Sequence, residues 1–264
     1  MANKTSKVAS LISGICLTGL MASAQATVIT DFSGSTLDAN VHLDVPNSSL
    51  ASVTQSGGSL NFHANGNVDM WWSRNNAPFA WSERPDVSLG DKWWVETRVT
   101  MPGYSYGRLA GITFYGDTDG SGGYVDGMDF HFAIDQWGSQ PVVRLQGLGD
   151  NMPGDLGGNL TGTALNYSSP SVFLRTEIIE NGLADNYSFF YKLNESDAWT
   201  LLGAMSSTVD NSRAAIFLKS YQAADASFDY FTVGTDAEVP EPTGLALAAL
   251  GMFGIAGMRR RKAA

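Results

Sequence analysis

From residue 27 to residue 238, hydrophobic and polar positions alternate in short runs separated by Gly, Asn, Asp, Ser and Pro, a pattern that predicts strands and no long amphipathic helix. In Trp93-Trp94-Val95-Glu96-Thr97-Arg98-Val99, residues Trp93, Val95 and Val99 fall on one face and Trp94, Glu96 and Arg98 on the other. Ile112 and Phe114 point away from Thr113 and Tyr115. Phe130, Phe132 and Ile134 oppose Asp129, His131, Ala133 and Asp135, and Val143 and Leu145 oppose Arg144 and Gln146. The shared design predicts that these runs form one sheet, buried on one side. Later runs at 173–178, 187–191, 215–218 and 228–233 extend the pattern, and Glu180-Asn181-Gly182 supplies a turn with residues that tolerate positive φ. Gly147 to Ser169 reads as a long surface connection. No repeat or linker divides the body, so a single all-β sandwich or barrel over 27–238 is expected.

The two ends differ from the body. Lys4 and Lys7 precede an apolar region from Val8 to Met21, and Ala24-Gln25-Ala26 has the small-x-small spacing of a secretory cleavage site, so residues 1–26 read as a signal peptide. The single cysteine, Cys16, falls inside this leader, which leaves the mature protein to be held by packing alone or by packing and a metal. At the other end, Val239-Pro240-Glu241-Pro242 is followed by an uncharged run from Thr243 to Met258 and then by Arg259-Arg260-Arg261-Lys262. The uncharged run is somewhat short of the roughly 20 residues that span a bilayer, a marginal transmembrane helix with its cations on the cytoplasmic side. Without the cations at both ends, the 16 basic residues fall to 10 and the 26 acidic to 25, so the body carries about −15. Such a surface repels nucleic acid and suits neutral glycans or calcium.

The order Pro-Glu-Pro, apolar helix, arginine cluster over 239–262 resembles the PEP-CTERM sorting signal of exopolysaccharide-producing bacteria. The resemblance implies export, transient anchoring in the membrane, and processing by an exosortase near Pro240, Glu241 and Pro242, with the body left in the cell envelope or on its surface. A second resemblance covers most of the body. Leu174-Arg175-Thr176-Glu177, the Asn181-Gly182 turn, Tyr187 to Tyr191, Ala198-Trp199-Thr200-Leu201-Leu202-Gly203 and the closing Phe228-Asp229-Tyr230-Phe231 are similar to the strands of concanavalin A-like jelly rolls, in particular the non-catalytic domain at the end of bacterial β-xylosidases. The expected architecture is therefore a jelly-roll sandwich over 27–238, between the leader and the sorting helix at 239–264.

Several residues are candidates for chemistry. Trp94, Glu96, Arg98, Tyr115, His131 and Arg144 share the predicted polar face, where rings stack on sugars and charged groups bond hydroxyls, so extracellular polysaccharide is the expected partner. The same residues also suit a solvated face of cross-strand ion pairs. Asp117-Thr118-Asp119-Gly120-Ser121-Gly122 begins like a calcium loop, with Met128 where the closing Glu would stand. The jelly-roll resemblance implies a different calcium site, at Asp31 and Asp229. No Glu-x-Asp-x-x-Glu run offers a glycosidase carboxylate pair, and the three histidines lack metal-ligand spacing. A carbohydrate-binding or matrix protein without catalysis is the reading of choice, with a hydrolase or lyase of the same fold as the alternative.

Overall fold

The computed structural model describes residues 28–70, 76–115, 130–147, 159–208 and 211–235. They belong to one compact unit, Gln25–Ala237. Among the described residues there are fifteen strands and no helix. In chain order they are β1 (Val28–Thr30), β2 (His42–Asp44), β3 (Ala51–Ser56), β4 (Ser59–Ala64), β5 (Phe79–Glu83), β6 (Lys92–Thr100), β7 (Arg108–Tyr115), β8 (Phe130–Asp135), β9 (Val142–Gly147), β10 (Leu160–Ala164), β11 (Ser171–Ile179), β12 (Asp185–Lys192), β13 (Thr200–Ser207), β14 (Arg213–Ser220) and β15 (Ala224–Thr235).

The strands form two antiparallel sheets. The first has the order β13-β12-β11-β6-β15-β4-β3, with β1 also paired to β15, and the second the order β10-β9-β8-β7-β14-β5-β2. The result is a two-sheet sandwich of the jelly-roll kind. Alternation explains the interior: Trp93, Val95 and Val99 from β6 meet Ile112 and Phe114 from β7 and Phe130, Phe132 and Ile134 from β8 in one buried cluster. Trp93 packs edge-on to Phe114 at 5.8 Å, and Phe130 packs edge-on to both Tyr187 and Phe189 at 5.2 Å.

Two expectations are corrected. The runs at 93–99, 112–115, 129–135 and 143–146 do not share a sheet, because β6 pairs with β11 and β15 in the first sheet while β7, β8 and β9 lie in the second. Alternation tells which residues face inward and says nothing about which partner a strand takes. The stretch from Gly147 to Ser169 is not connection throughout, since it contains β10, an edge strand on β9. The turn at Gly182 has the expected positive φ, 84°. No helix among the described residues is long and apolar enough to cross a membrane. The run 243–258 lies outside the described residues, as do both proposed domain boundaries.

One end of the interior is closed by a buried polar knot. Glu180, next to the Gly182 turn, accepts a hydrogen bond from the indole Nε1 of Trp93 at 2.7 Å and pairs with Arg84 at 3.0 Å. Asn211 lies 3.0 Å from the Tyr187 hydroxyl and donates to Asp185 at 2.9 Å. Burial pushes the Tyr187 phenol up from its ordinary pKa, which keeps it neutral. Replacing Glu180 by Ala leaves the buried Trp93 indole donor without its acceptor, while Arg84 keeps access to water and Asn211, so Glu180→Ala should cost about 2 kcal/mol in urea denaturation. An unchanged midpoint would contradict this.

Candidate functional site

The six residues expected to line one groove are divided by the fold. Trp94, Glu96 and Arg98 lie on the outer face of the first sheet, half-buried among charged neighbours from adjacent strands. Glu96 accepts the Tyr230 hydroxyl at 2.6 Å and pairs with Arg175 at 3.4 Å. Arg175 also pairs with Glu177 at 3.0 Å and lies 4.6 Å over the Trp94 ring, and Lys92 pairs with Glu177 at 3.2 Å. Burial first, and then the bond to Glu96, pushes the Tyr230 hydroxyl up from its ordinary pKa. This face is a ladder of mutually paired charges that caps its own indole.

Tyr115, His131 and Arg144 belong to the second sheet. Tyr115 is opposite Arg213 in the β7–β14 register, His131 is fully buried, and Arg144 pairs with the buried Asp135 at 2.9 Å. The ring of His131 lies 4.8 Å from that of Phe217. Burial, and then the charge of Lys219, pulls the His131 pKa well below its ordinary value. The outer face of this sheet is itself largely covered: Phe79, Leu109, Ala133, Ala215 and Phe217 form a second apolar cluster, with Trp81 and Trp137 against it. At its centre Gly111 is obligatory, because a Cβ there would come 2.2 Å from the Phe132 carbonyl oxygen.

The residues of the implied calcium site, Asp31 and Asp229, each have partners within the protein. Asp31 accepts from the amide of Ser33 at 3.0 Å and from its hydroxyl at 2.7 Å, which holds its pKa below the ordinary carboxylate value. Asp229 sits where the β15–β6 register shifts and is paired to Arg98 at 2.8 Å. A bulge and an ion pair thus account for the acid that interrupts this strand. Among the described residues no group of three or more His, Cys, Asp or Glu could hold a metal ion. Asp117 and Asp119 lie outside the described residues.

A constellation absent from the sequence reading appears where β8 and β14 end. Asp135, Leu109 and Lys219 are neighbours across β8, β7 and β14, and two residues further along these strands stand Trp137, Gly107 and Tyr221. Gly107 has φ of 88°, and a Cβ on it would touch the Tyr221 ring at 3.4 Å. Above this glycine the Trp137 and Tyr221 rings meet at 4.6 Å, and Tyr106 packs on Trp137 at 5.5 Å. Tyr106 is 57% and Tyr221 45% exposed, so the group opens to solvent. Beneath it Lys219, with no exposed surface, pairs with Asp69 at 3.0 Å and lies 5.8 Å from the centre of each of the Trp137 and Tyr221 rings. Burial pulls the Lys219 pKa down to about 8, against the pull of Asp69 and Asp135. Asp135 accepts the Trp137 amide at 2.6 Å, and burial pushes its carboxyl up.

Tyr104 and Tyr167 form a second ring pair beside the first, 4.6 Å apart. The sequence signal for these residues lies in Gly103-Tyr104-Ser105-Tyr106-Gly107, two tyrosines framed by glycines, and in Trp137-Gly138. Strand periodicity passes over them because they sit in turns. On the other sheet, a cleft of ≈ 460 Å³ contains His63, whose ring nitrogens lie 2.6 Å from Asp225 and 2.7 Å from Asn65. Those bonds raise the His63 pKa and leave neither nitrogen available for a ligand.

Comparison with known families gives a match over residues 238–262 to the PEP-CTERM protein-sorting motif. This chain carries a PEP-CTERM sorting signal. The signal marks an exported, envelope-associated protein and implies processing by an exosortase; Pro240, Glu241 and Pro242 lie outside the described residues. Comparison with curated proteins gives no match. Among solved structures, the body of this PEP-CTERM protein is similar to a GH43 glycoside hydrolase engineered to show endo-xylanase and exo-arabinofuranosidase activity, at TM-score 0.57 and 15% identity over 89% of this chain and 42% of that one. It is similar to a bifunctional GH43-CE protein of Bacteroides eggerthii at TM-score 0.54 and 16% identity, over 78% of this chain and 27% of the other. A mutant of the GH43 protein BlXynB from Bacillus licheniformis aligns at TM-score 0.51 and 15% identity, over 78% and 39%. The chain spans less than half the length of each, and the likeness is one of fold.

The buried imidazole carries a pH signature. The unfolded chain takes up a proton at His131 near pH 6.5 and the folded chain only well below it, so stability should fall as pH drops beneath 6.5. The limiting slope for one proton is about 1.4 kcal/mol per pH unit. His63, whose pKa is raised, contributes in the opposite sense to both proteins, so the signature is the difference: in urea titrations between pH 5 and 7 the wild type should lose stability relative to His131→Asn as pH falls, and parallel curves would contradict the assignment.

Proposed function

We propose that this is an exported, surface-sorted protein that binds extracellular carbohydrate without catalysis, as a component of the envelope or matrix. The observation that carries the reading is the exposed aromatic group of Tyr106, Trp137 and Tyr221, fixed over a buried ion pair. Aromatic rings offer sugars flat apolar faces, and a group already held in place binds without a further ordering cost. The body's charge of about −15 disfavours polyanions, so the fitting ligand is a neutral glycan. Three carboxylates of the first sheet, Glu96, Glu177 and Asp229, are each engaged by Arg or Lys, which suits structural pairing better than acid–base chemistry. The uncharged run 243–258 anchors the chain in the membrane until the exosortase acts, with Arg259, Arg260, Arg261 and Lys262 on the cytoplasmic side.

Affinity electrophoresis of the purified protein in gels containing neutral polysaccharides tests the reading. Retardation by at least one of them is expected, with Trp137→Ala and Tyr221→Ala each weakening affinity about tenfold while the circular dichroism spectrum is unchanged. Retardation that survives both substitutions would remove the aromatic group from the site. Release of reducing ends or unsaturated products would replace the binding reading with a hydrolase or a lyase.

A further inference from the structure

We propose that the aromatic turns bind an extended chain of pyranoses along its length, rather than a single terminal sugar; this rests on the glycan reading above. Two ring groups converge on consecutive residues of one turn. Trp137 belongs to the first group, with Tyr106 and Tyr221. The second group, Tyr104 and Tyr167, is tied to the next two residues: the Tyr104 hydroxyl donates to the Gly138 carbonyl, and the Tyr167 hydroxyl to the Ser139 carbonyl at 2.6 Å. Within each group the rings pack edge-on or tilted with centres 4.6 to 5.5 Å apart. On this proposal one sugar contacts one group and a chain contacts both.

Each group has open surface. Tyr167 is 52% exposed in the second group and Tyr106 57% in the first. The turn that carries Tyr104 and Tyr106 is fixed from two sides. Gln136 accepts from the Ser105 amide at 2.9 Å and donates to the Gly103 carbonyl at 3.0 Å. Gln222 donates to the Tyr106 carbonyl at 2.7 Å. The spacing between the groups is therefore built in before a ligand arrives, which favours a polymer of regular repeat over a flexible or branched terminus. Lys219 is buried against Asp69 and presents no charge to a ligand, and the body's charge of about −15 disfavours acidic sugars.

The full-length protein is titrated calorimetrically with cello-, xylo- and laminari-oligosaccharides from monomer to octamer, and with the parent polymers. Affinity in the responding series should climb by about tenfold or more between short and long members and then level off. Tyr167→Ala should erase that gain while leaving the short oligomers unaffected, and Tyr167→Phe, which keeps the ring, should retain it. A monomer bound as tightly as the octamer, or a Tyr167→Ala loss equal at every length, would overturn the extended-chain inference and leave glycan binding intact. Absence of binding in every series, polymers included, would overturn both.

Discussion

A lysine ammonium with no contact to solvent is costly unless a counter-charge stands beside it, and Lys219 imposes this condition on everything around the end of β14. Its partner Asp69 comes from the chain beyond β4, and the rings 5.8 Å away come from the residues that follow β8 and β14. Asp135 adds a second buried charge, shared between Arg144 and the Trp137 amide. These demands are met together only when the turns carrying Trp137 and Tyr221 close over the lysine. The ring group that opens to solvent is thus the upper surface of a charge layer that stays buried. Gly107, at a φ of 88° that side-chain-bearing residues rarely adopt, makes the turn against the Tyr221 ring.

The outer face of the first sheet shows the contrasting use of charge. Arg98, Arg175 and Lys92 keep partial exposure and find carboxylates on neighbouring strands, pairs that add modest stability and keep a wide sheet soluble. Arg175 lies over one face of the half-buried Trp94 ring. One face therefore satisfies itself, while the end of the other leaves rings unspent. That asymmetry is the reason recognition is proposed at the turns.

Much of the strand content was legible in the sequence, since the alternation in β6, β7, β8 and β9 correctly separates inward from outward residues. Sheet membership was not legible, because β6 has the same pattern as β8 yet pairs with β11 and β15, which lie far along the chain. The error divided the expected groove: Glu96 and His131 belong to different sheets. Asp229 reads in the sequence as an interruption of its strand, and the register shift and the pair with Arg98 that stand there were not legible. The aromatic turns escaped for a different reason. Tyr104, Tyr106, Trp137 and Tyr221 follow no period and are brought together only by the ends of β8 and β14 and the turn into β7. The sorting signal, in contrast, is written in consecutive residues and needs no fold to be recognised.

The buried ammonium can be observed directly. With labelled lysine, the Nζ resonance of Lys219, assigned through Lys219→Met, can be followed against pH in the intact protein. Lys219 should titrate near pH 8, well below the ordinary 10.5, because burial outweighs its pairing with Asp69. A midpoint at the ordinary lysine value would place the ammonium in water and take away the layer on which the aromatic turns rest.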